Sequence, residues 1–193
     1  MLNLAVFGSG SGSNYQAIAE AIASGRLNAR IACVISDVKD AYILERARKL
    51  GHPSIYIDCA PFKTKLDGEA EQRAIEIIKQ HGGNFIALAG FMRIVKPGLL
   101  NAFAGRIINI HPSLLPAFPG LEAGRQALES GAKETGCTVH FVDGGIDTGP
   151  IICQRKVPVL PDDTVETLMN RIHQQEHAAY PEALQKIASG FTG

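Results

Sequence analysis

Residues 106–120 read RIINIHPSLLPAFPG. Ile107, Ile108 and Ile110 make the β-branched run expected of a strand buried in a parallel sheet, and Pro112, which has no N–H to give a ladder, ends it. Asn109 and His111 are two residues apart, so an extended backbone projects both side chains from one face of the strand end. Ligands of open α/β sheets collect just beyond the carboxyl ends of the strands, where this carboxamide and imidazole would stand. Pro112, Pro116 and Pro119 fix φ three times in eight residues and stiffen the loop that follows. A lone histidine is more often structural than catalytic, so the weight of this reading rests on the flanking segments.

Upstream, apolar runs alternate with helical patterns. Residues 2–7 (LNLAVF), 31–36, 54–57 and 85–89 (FIALA) read as strands, the last buried on both faces. Between them, residues 41–50 carry Ile43, Leu44, Ala47 and Leu50 at helical period, with Gly51 as a C-cap. Residues 62–81 contain a long polar helix with Ala70, Ala74, Ile77 and Ile78 inward, and Lys96-Pro97-Gly98 starts a short one. The expected class is α/β: a Rossmann-like, mostly parallel twisted sheet flanked by helices and joined by right-handed crossovers.

Downstream, residues 121–130 read as a helix. Residues 137–142 alternate, with Cys137, Val139 and Phe141 on one face, and residues 151–157 are their strand partner, which makes this end of the sheet antiparallel. The last helix starts near Asp163 or Thr164, with Glu166 placed for a reciprocal capping bond and Pro181 expected to kink or end it. With no repeat, linker or low-complexity tract, residues 1–193 read as one domain, a phosphate-binding half (1–100) followed by a catalytic half (101–193).

Three loops and one helix face carry further candidates. Gly8-Ser9-Gly10-Ser11-Gly12-Ser13-Asn14 joins a strand to a helix start, where free N–H groups suit a phosphate. It is neither a dinucleotide fingerprint, because Ser13 and Tyr15 stand where the third glycine would be needed, nor a P-loop, because no Lys-Ser/Thr pair follows. Asp37 lies where a ribose-binding acid belongs in a dinucleotide fold, which keeps a nucleotide-cofactor reading open. Met92, Ile94 and Val95 in GFMRIV offer an apolar wall past a strand end, or simply cap the core. Residues 143–150 (DGGIDTGP) put three glycines, a proline and the carboxylates Asp143 and Asp147 in a tight loop. Glu176 sits on the apolar stripe of the last helix, where an unpaired charge is expensive, so a polar ligand or partner is expected there.

Composition narrows the class. Hydrophobic residues are 46% and charged ones 20%, which argues against disorder and against a membrane protein. Lys plus Arg equals Asp plus Glu at 19 each, without the basic surplus of a dedicated nucleic-acid binder, so small-molecule partners are expected. Cys33, Cys59, Cys137 and Cys153 show no C-x-x-C or metal-like spacing and read as reduced thiols of a cytoplasmic protein, with no metal implied. The N-terminus shows no export signal.

Read together, Gly12-Ser13-Asn14, GFMRI, NIHPSLLPAFPG and VDGGIDTGPII resemble the phosphoribosylglycinamide formyltransferase family of purine biosynthesis over nearly the whole chain. The resemblance implies formyl transfer from 10-formyltetrahydrofolate, as cosubstrate, to the amine of glycinamide ribonucleotide. It implies Asn109, His111 and Asp147 as the catalytic trio, Gly12, Ser13 and Asn14 as the phosphate loop, and Glu176 as the ribose contact. Met92, Arg93, Ile94 and Val95 match its folate segment. Where the family often has an arginine after Phe62 this chain has Lys63 and Lys65, and Lys65 is assigned to the folate. His140 is a candidate for support behind the trio, or a satisfied core histidine.

The chemistry agrees with that implication. An amine attacking a formyl carbon builds an oxyanion that Asn109 and a protonated His111 can meet with N–H donors, while Asp147 favours the charged imidazole. The same groups can carry the proton from the attacking to the departing nitrogen, directly or through one water. Rivals are a formyltetrahydrofolate hydrolase, expected to add an N-terminal domain, a methionyl-tRNA formyltransferase, expected to add a C-terminal RNA-binding domain, and a noncatalytic nucleotide-binding module.

Overall fold

Apolar runs become strands wherever both faces can be covered. In chain order the elements are β1 (Leu2–Phe7), α1 (Ser13–Ala23), β2 (Ala29–Ser36), α2 (Tyr42–Lys49), β3 (Ser54–Tyr56), β4 (Lys65–Leu66), α3 (Gly68–Gln80), β5 (Phe85–Leu88), β6 (Ile94–Val95), α4 (Pro97–Ala102), β7 (Ile107–His111), α5 (Ala123–Glu129), β8 (Glu134–Phe141), β9 (Ile151–Pro158) and α6 (Val165–Ala188). They come from a computed structural model, which describes residues 1–191.

Seven strands form one sheet in the order β3-β2-β1-β5-β7-β8-β9. The pairs from β3 to β7 are parallel, and β8 and β9 join antiparallel. The chain works outward from β1 to β3 and then returns to the other side of β1 at β5, so the direction of winding reverses between β1 and β5. Ligands of such sheets bind beyond the carboxyl ends of the strands at such a reversal, and here the loops that follow β1 and β5 meet, with Ser9 N donating to the Gly90 carbonyl at 3.0 Å.

Two cores cover the sheet. On one face Ile18, Ile43, Ala127 and Tyr180 from α1, α2, α5 and α6 pack against Ile108, Ile110 and Val139. On the other, Ile77, Ile78 and Leu99 from α3 and α4 pack against Phe7, Ile35, Leu88 and Ile107. Alternation along β7 puts Asn109 and His111 on the Ile107 face, at the strand end beyond the α3 and α4 cover.

Three local expectations are corrected. The α6 cap is a reciprocal pair between Thr164 and Thr167, not Glu166: Thr164 Oγ1 accepts from Thr167 N (3.2 Å) and Thr167 Oγ1 accepts from Thr164 N (3.0 Å). Pro181 lies inside α6, which runs on to Ala188. A helix-interior proline costs about 3 kcal/mol, and burying Leu184 alone contributes about 1.5–3 kcal/mol. Tyr180 and Ala183 are fully buried beside it, so packing on both sides of the proline outweighs the lost hydrogen bond. Finally, β4 and β6 pair in parallel as a separate small sheet, which the sequence pattern did not signal.

All four cysteines are free, three of them buried. Among the described residues no helix is long and apolar enough to cross a membrane.

Candidate active site

His111 closes β7 and is 5% exposed. Its Nε2 lies 2.8 Å from the Phe118 carbonyl and its Nδ1 lies 3.3 Å from Asp147 Oδ2. Both partners are acceptors, a carbonyl on one side of the ring and a carboxylate on the other. The proline-rich loop sets the Phe118 contact. Thr138 Oγ1 donates to the Ser113 carbonyl (2.7 Å) and accepts from Leu115 N (3.0 Å) and Gln154 Nε2 (2.9 Å), which ties the loop to β8 and β9.

Asp147 has φ +54°, a left-handed conformation that is uncommon without a glycine, and it shares this with Phe118 and Glu122. Held that way, its carboxylate also accepts from Gly120 N at 2.9 Å. Burial pushes the Asp147 carboxyl up, but nearby His140, the Gly120 N–H and the charge of His111 outweigh it and hold the group below the usual carboxylate range. Asp143 is differently employed. Its Oδ1 accepts from Gly145 N (2.9 Å) and Thr148 Oγ1 (2.7 Å), so it staples its own loop.

Asn109 is half-buried and sits across from His140 in the β7–β8 register, on the same face. His140 Nδ1 donates to the Phe141 carbonyl at 2.8 Å. Its buried Nε2 has no hydrogen-bond partner and lies 3.6 Å from Asp147 Oδ1, too far for a hydrogen bond. His140 is therefore not a satisfied core histidine. Its ring faces the Asp147 carboxylate without a hydrogen bond to it.

The glycine loop is held against α2. Ile43 N donates to the Gly10 carbonyl (3.0 Å), and Arg46 Nε donates to the Ser11 carbonyl (2.8 Å). Gly12 has φ +74°, and a Cβ there would lie 2.7 Å from the Ile43 backbone, so a close approach requires glycine independently of any ligand. Ser13 opens α1, whose first turn has no acidic residue and no side-chain cap, leaving its N–H groups open to an anion. Asn14 Nδ2 donates to Glu176 Oε2 at 2.8 Å, and both side chains are buried. Asn14 Oδ1 is buried without a partner. The bond between them joins α1 to α6 across the two sequence halves.

In the 90–95 segment Met92 and Ile94 are 67% and 50% exposed, apolar surface in the stretch that follows β5, and Val95 is half-buried. Arg93 turns inward, with Nε 2.6 Å from Asp37 Oδ2 and Nη1 2.6 Å from the Phe62 carbonyl. Asp37 is thus engaged by Arg93 and, through its other oxygen, by Ser9, which removes it as a ribose-binding acid. Lys65 pairs with Ile94 in the small sheet, and its Nζ lies 2.7 Å from Asp67 Oδ2 and 4.3 Å over the Phe62 ring. Sequence reasoning missed Ser9, Phe118 and Gly120, which act through a hydroxyl or backbone groups that carry no side-chain signature.

Burial pushes the Cys33 and Cys137 thiols up to about 12, which leaves both as neutral core groups. Among the described residues no three His, Cys, Asp or Glu side chains form a group that could hold a metal ion.

A family model described as formyl transferase matches residues 2–184. This chain belongs to the formyl transferase family. It is 43% identical over 187 residues to the phosphoribosylglycinamide formyltransferase of Bacillus subtilis (strain 168), covering 97% of this chain and 95% of that one. It is 49% identical over 189 residues to the trifunctional purine biosynthetic protein adenosine-3 of Drosophila pseudoobscura pseudoobscura, of which it spans 14%. The crystal structure of glycinamide ribonucleotide transformylase 1 from Symbiobacterium toebii superposes with a TM-score of 0.94 at 51% identity, covering 98% of this chain and 89% of that one. The β7 strand end, its proline-rich loop and the loop carrying Asp147 thus lie within the matched region of a formyl transferase.

Proposed function

We propose that this formyl transferase moves the formyl group of 10-formyltetrahydrofolate onto the amine of 5'-phosphoribosylglycinamide, a step of purine biosynthesis. The observation that carries the reading is the meeting of His111 and Asp147 at 3.3 Å beside Asn109 at a strand end. The membership of the chain and the names of its full-length relatives supply the substrates.

In this reading the ribonucleotide phosphate sits on Gly12, Ser13 and Asn14, and the Glu176 carboxylate takes ribose hydroxyls. The folate lies along Met92, Arg93, Ile94 and Val95, with Lys65 and Asn109 toward it. When the amine attacks, the formyl oxygen gains negative charge. The Asn109 carboxamide donates to it, and the Nε2–H of His111, which rests on the Phe118 carbonyl, exchanges that neutral acceptor for the stronger anionic one. Asp147 keeps the imidazole charged while this happens and accepts none of the proton. The excess proton on the attacking nitrogen then passes to the departing folate nitrogen, through these groups or one water. The partners are small molecules, and the reaction belongs in the cytoplasm.

Release of tetrahydrofolate, followed with and without glycinamide ribonucleotide, tests the reading. Release that depends on the ribonucleotide is expected. Release at the same rate without it would make the protein a hydrolase, and no release would leave a binding module.

A further inference from the structure

The glycine loop and the 90–95 segment are joined by a cluster whose side-chain bonds have no role in the proposed chemical step. Ser9 Oγ donates to Asp37 Oδ1 (2.5 Å) and accepts from Met92 N (2.9 Å), while Ser9 N donates to the Gly90 carbonyl (3.0 Å). The other Asp37 oxygen takes Arg93 Nε, and Arg93 reaches on to the Phe62 carbonyl. The side chains of Arg93 and Asp37 are 15% and 6% exposed, so the pair is little screened, and losing one partner strands the other. One hydroxyl is therefore shared by two loops that come from different strands, and neither loop can shift without breaking a bond to the other.

We propose that Ser9, Asp37 and Arg93 are positioning residues that couple the two substrate sites, so that a ribonucleotide on the glycine loop strengthens folate binding along residues 92–95. The inference rests on the assignment of those two segments under the proposed function. A phosphate that orders the loop at Gly12 and Ser13 also fixes Ser9, and Ser9 holds the Met92 N–H and, through Asp37, the Arg93 guanidinium. Linkage makes the effect reciprocal.

The test is calorimetric titration of tetrahydrofolate into the full chain, with and without saturating glycinamide ribonucleotide, for the wild type, Ser9→Ala and Asp37→Asn. The wild type is expected to bind the folate about fivefold or more tightly once the ribonucleotide is present, the low end of ordinary coupling, and each variant by less than about twofold. KM is expected to rise for both substrates more than kcat falls. Ser9→Ala keeps the buried ion pair, so it reports on coupling even if Asp37→Asn fails to fold. Equal enhancement in Ser9→Ala and wild type would overturn the proposal, as would a wild type that turns over both substrates without enhancement. A wild type that binds neither ligand would overturn it together with the proposed function.

Discussion

At the scale of single residues, His111 and Asp147 divide the work by environment. The imidazole lies between a carbonyl and a carboxylate, and the carboxylate accepts from a backbone N–H with a second histidine 3.6 Å from its other oxygen. His111→Ala and Asp147→Asn should each lower kcat by roughly 10²-fold or more, the usual scale for a lost acid–base or oxyanion group. Steady-state rates close to wild type in either variant would remove that residue from the mechanism. Asp147 also sets a pH dependence. Its folded carboxyl ionises below its ordinary range, so its contribution to stability is complete above the ordinary value of about 4 and is lost as pH falls through the lower folded one. The gap in melting temperature between wild type and Asp147→Asn should be constant near neutrality and shrink below about pH 4; a gap that widens toward acid contradicts this sign. Asn109 and His111 were legible because a two-residue period places them on one face whatever surrounds the strand. Asp147 was not separable from Asp143 by any local rule. What distinguishes them is a left-handed backbone at one and a hydrogen-bonded turn at the other.

At the scale of elements, strands and helices with long apolar patterns were legible to within about three residues, the largest miss being the start of β8 at Glu134, and the two-residue strands β4 and β6 were not, since two residues carry no period. Pro181 does not end α6, because the core on either side of it outweighs the local backbone cost. The glycine loop joins both levels, since Gly12 serves the packing of α2 beside its proposed role in the phosphate loop. In Gly12→Ala the left-handed φ costs about 1–2 kcal/mol and the crowding of Ile43 adds about 1–3 kcal/mol. Urea unfolding should therefore show a loss of about 2–5 kcal/mol, with KM for the ribonucleotide raised. An unchanged midpoint would mean that α2 moves aside without cost.

At the scale of the whole molecule, the sheet order brings together residues far apart in the chain. The winding reverses between β1 and β5, β7 ends in His111, and the β8–β9 connection brings Asp147 back to within 3.3 Å of its ring. The parallel class was legible from the alternation of patterns. The Asn14–Glu176 bond was not, because it depends on how α6 crosses α1. Mass spectrometry of the ribonucleotide after a single turnover with 10-formyltetrahydrofolate tests the assembled site most directly. The wild-type product should carry one formyl group in place of an amine hydrogen, with almost none formed by Asp147→Asn in the same time. An unmodified ribonucleotide beside released formate, or equal formylation by the two proteins, would contradict it.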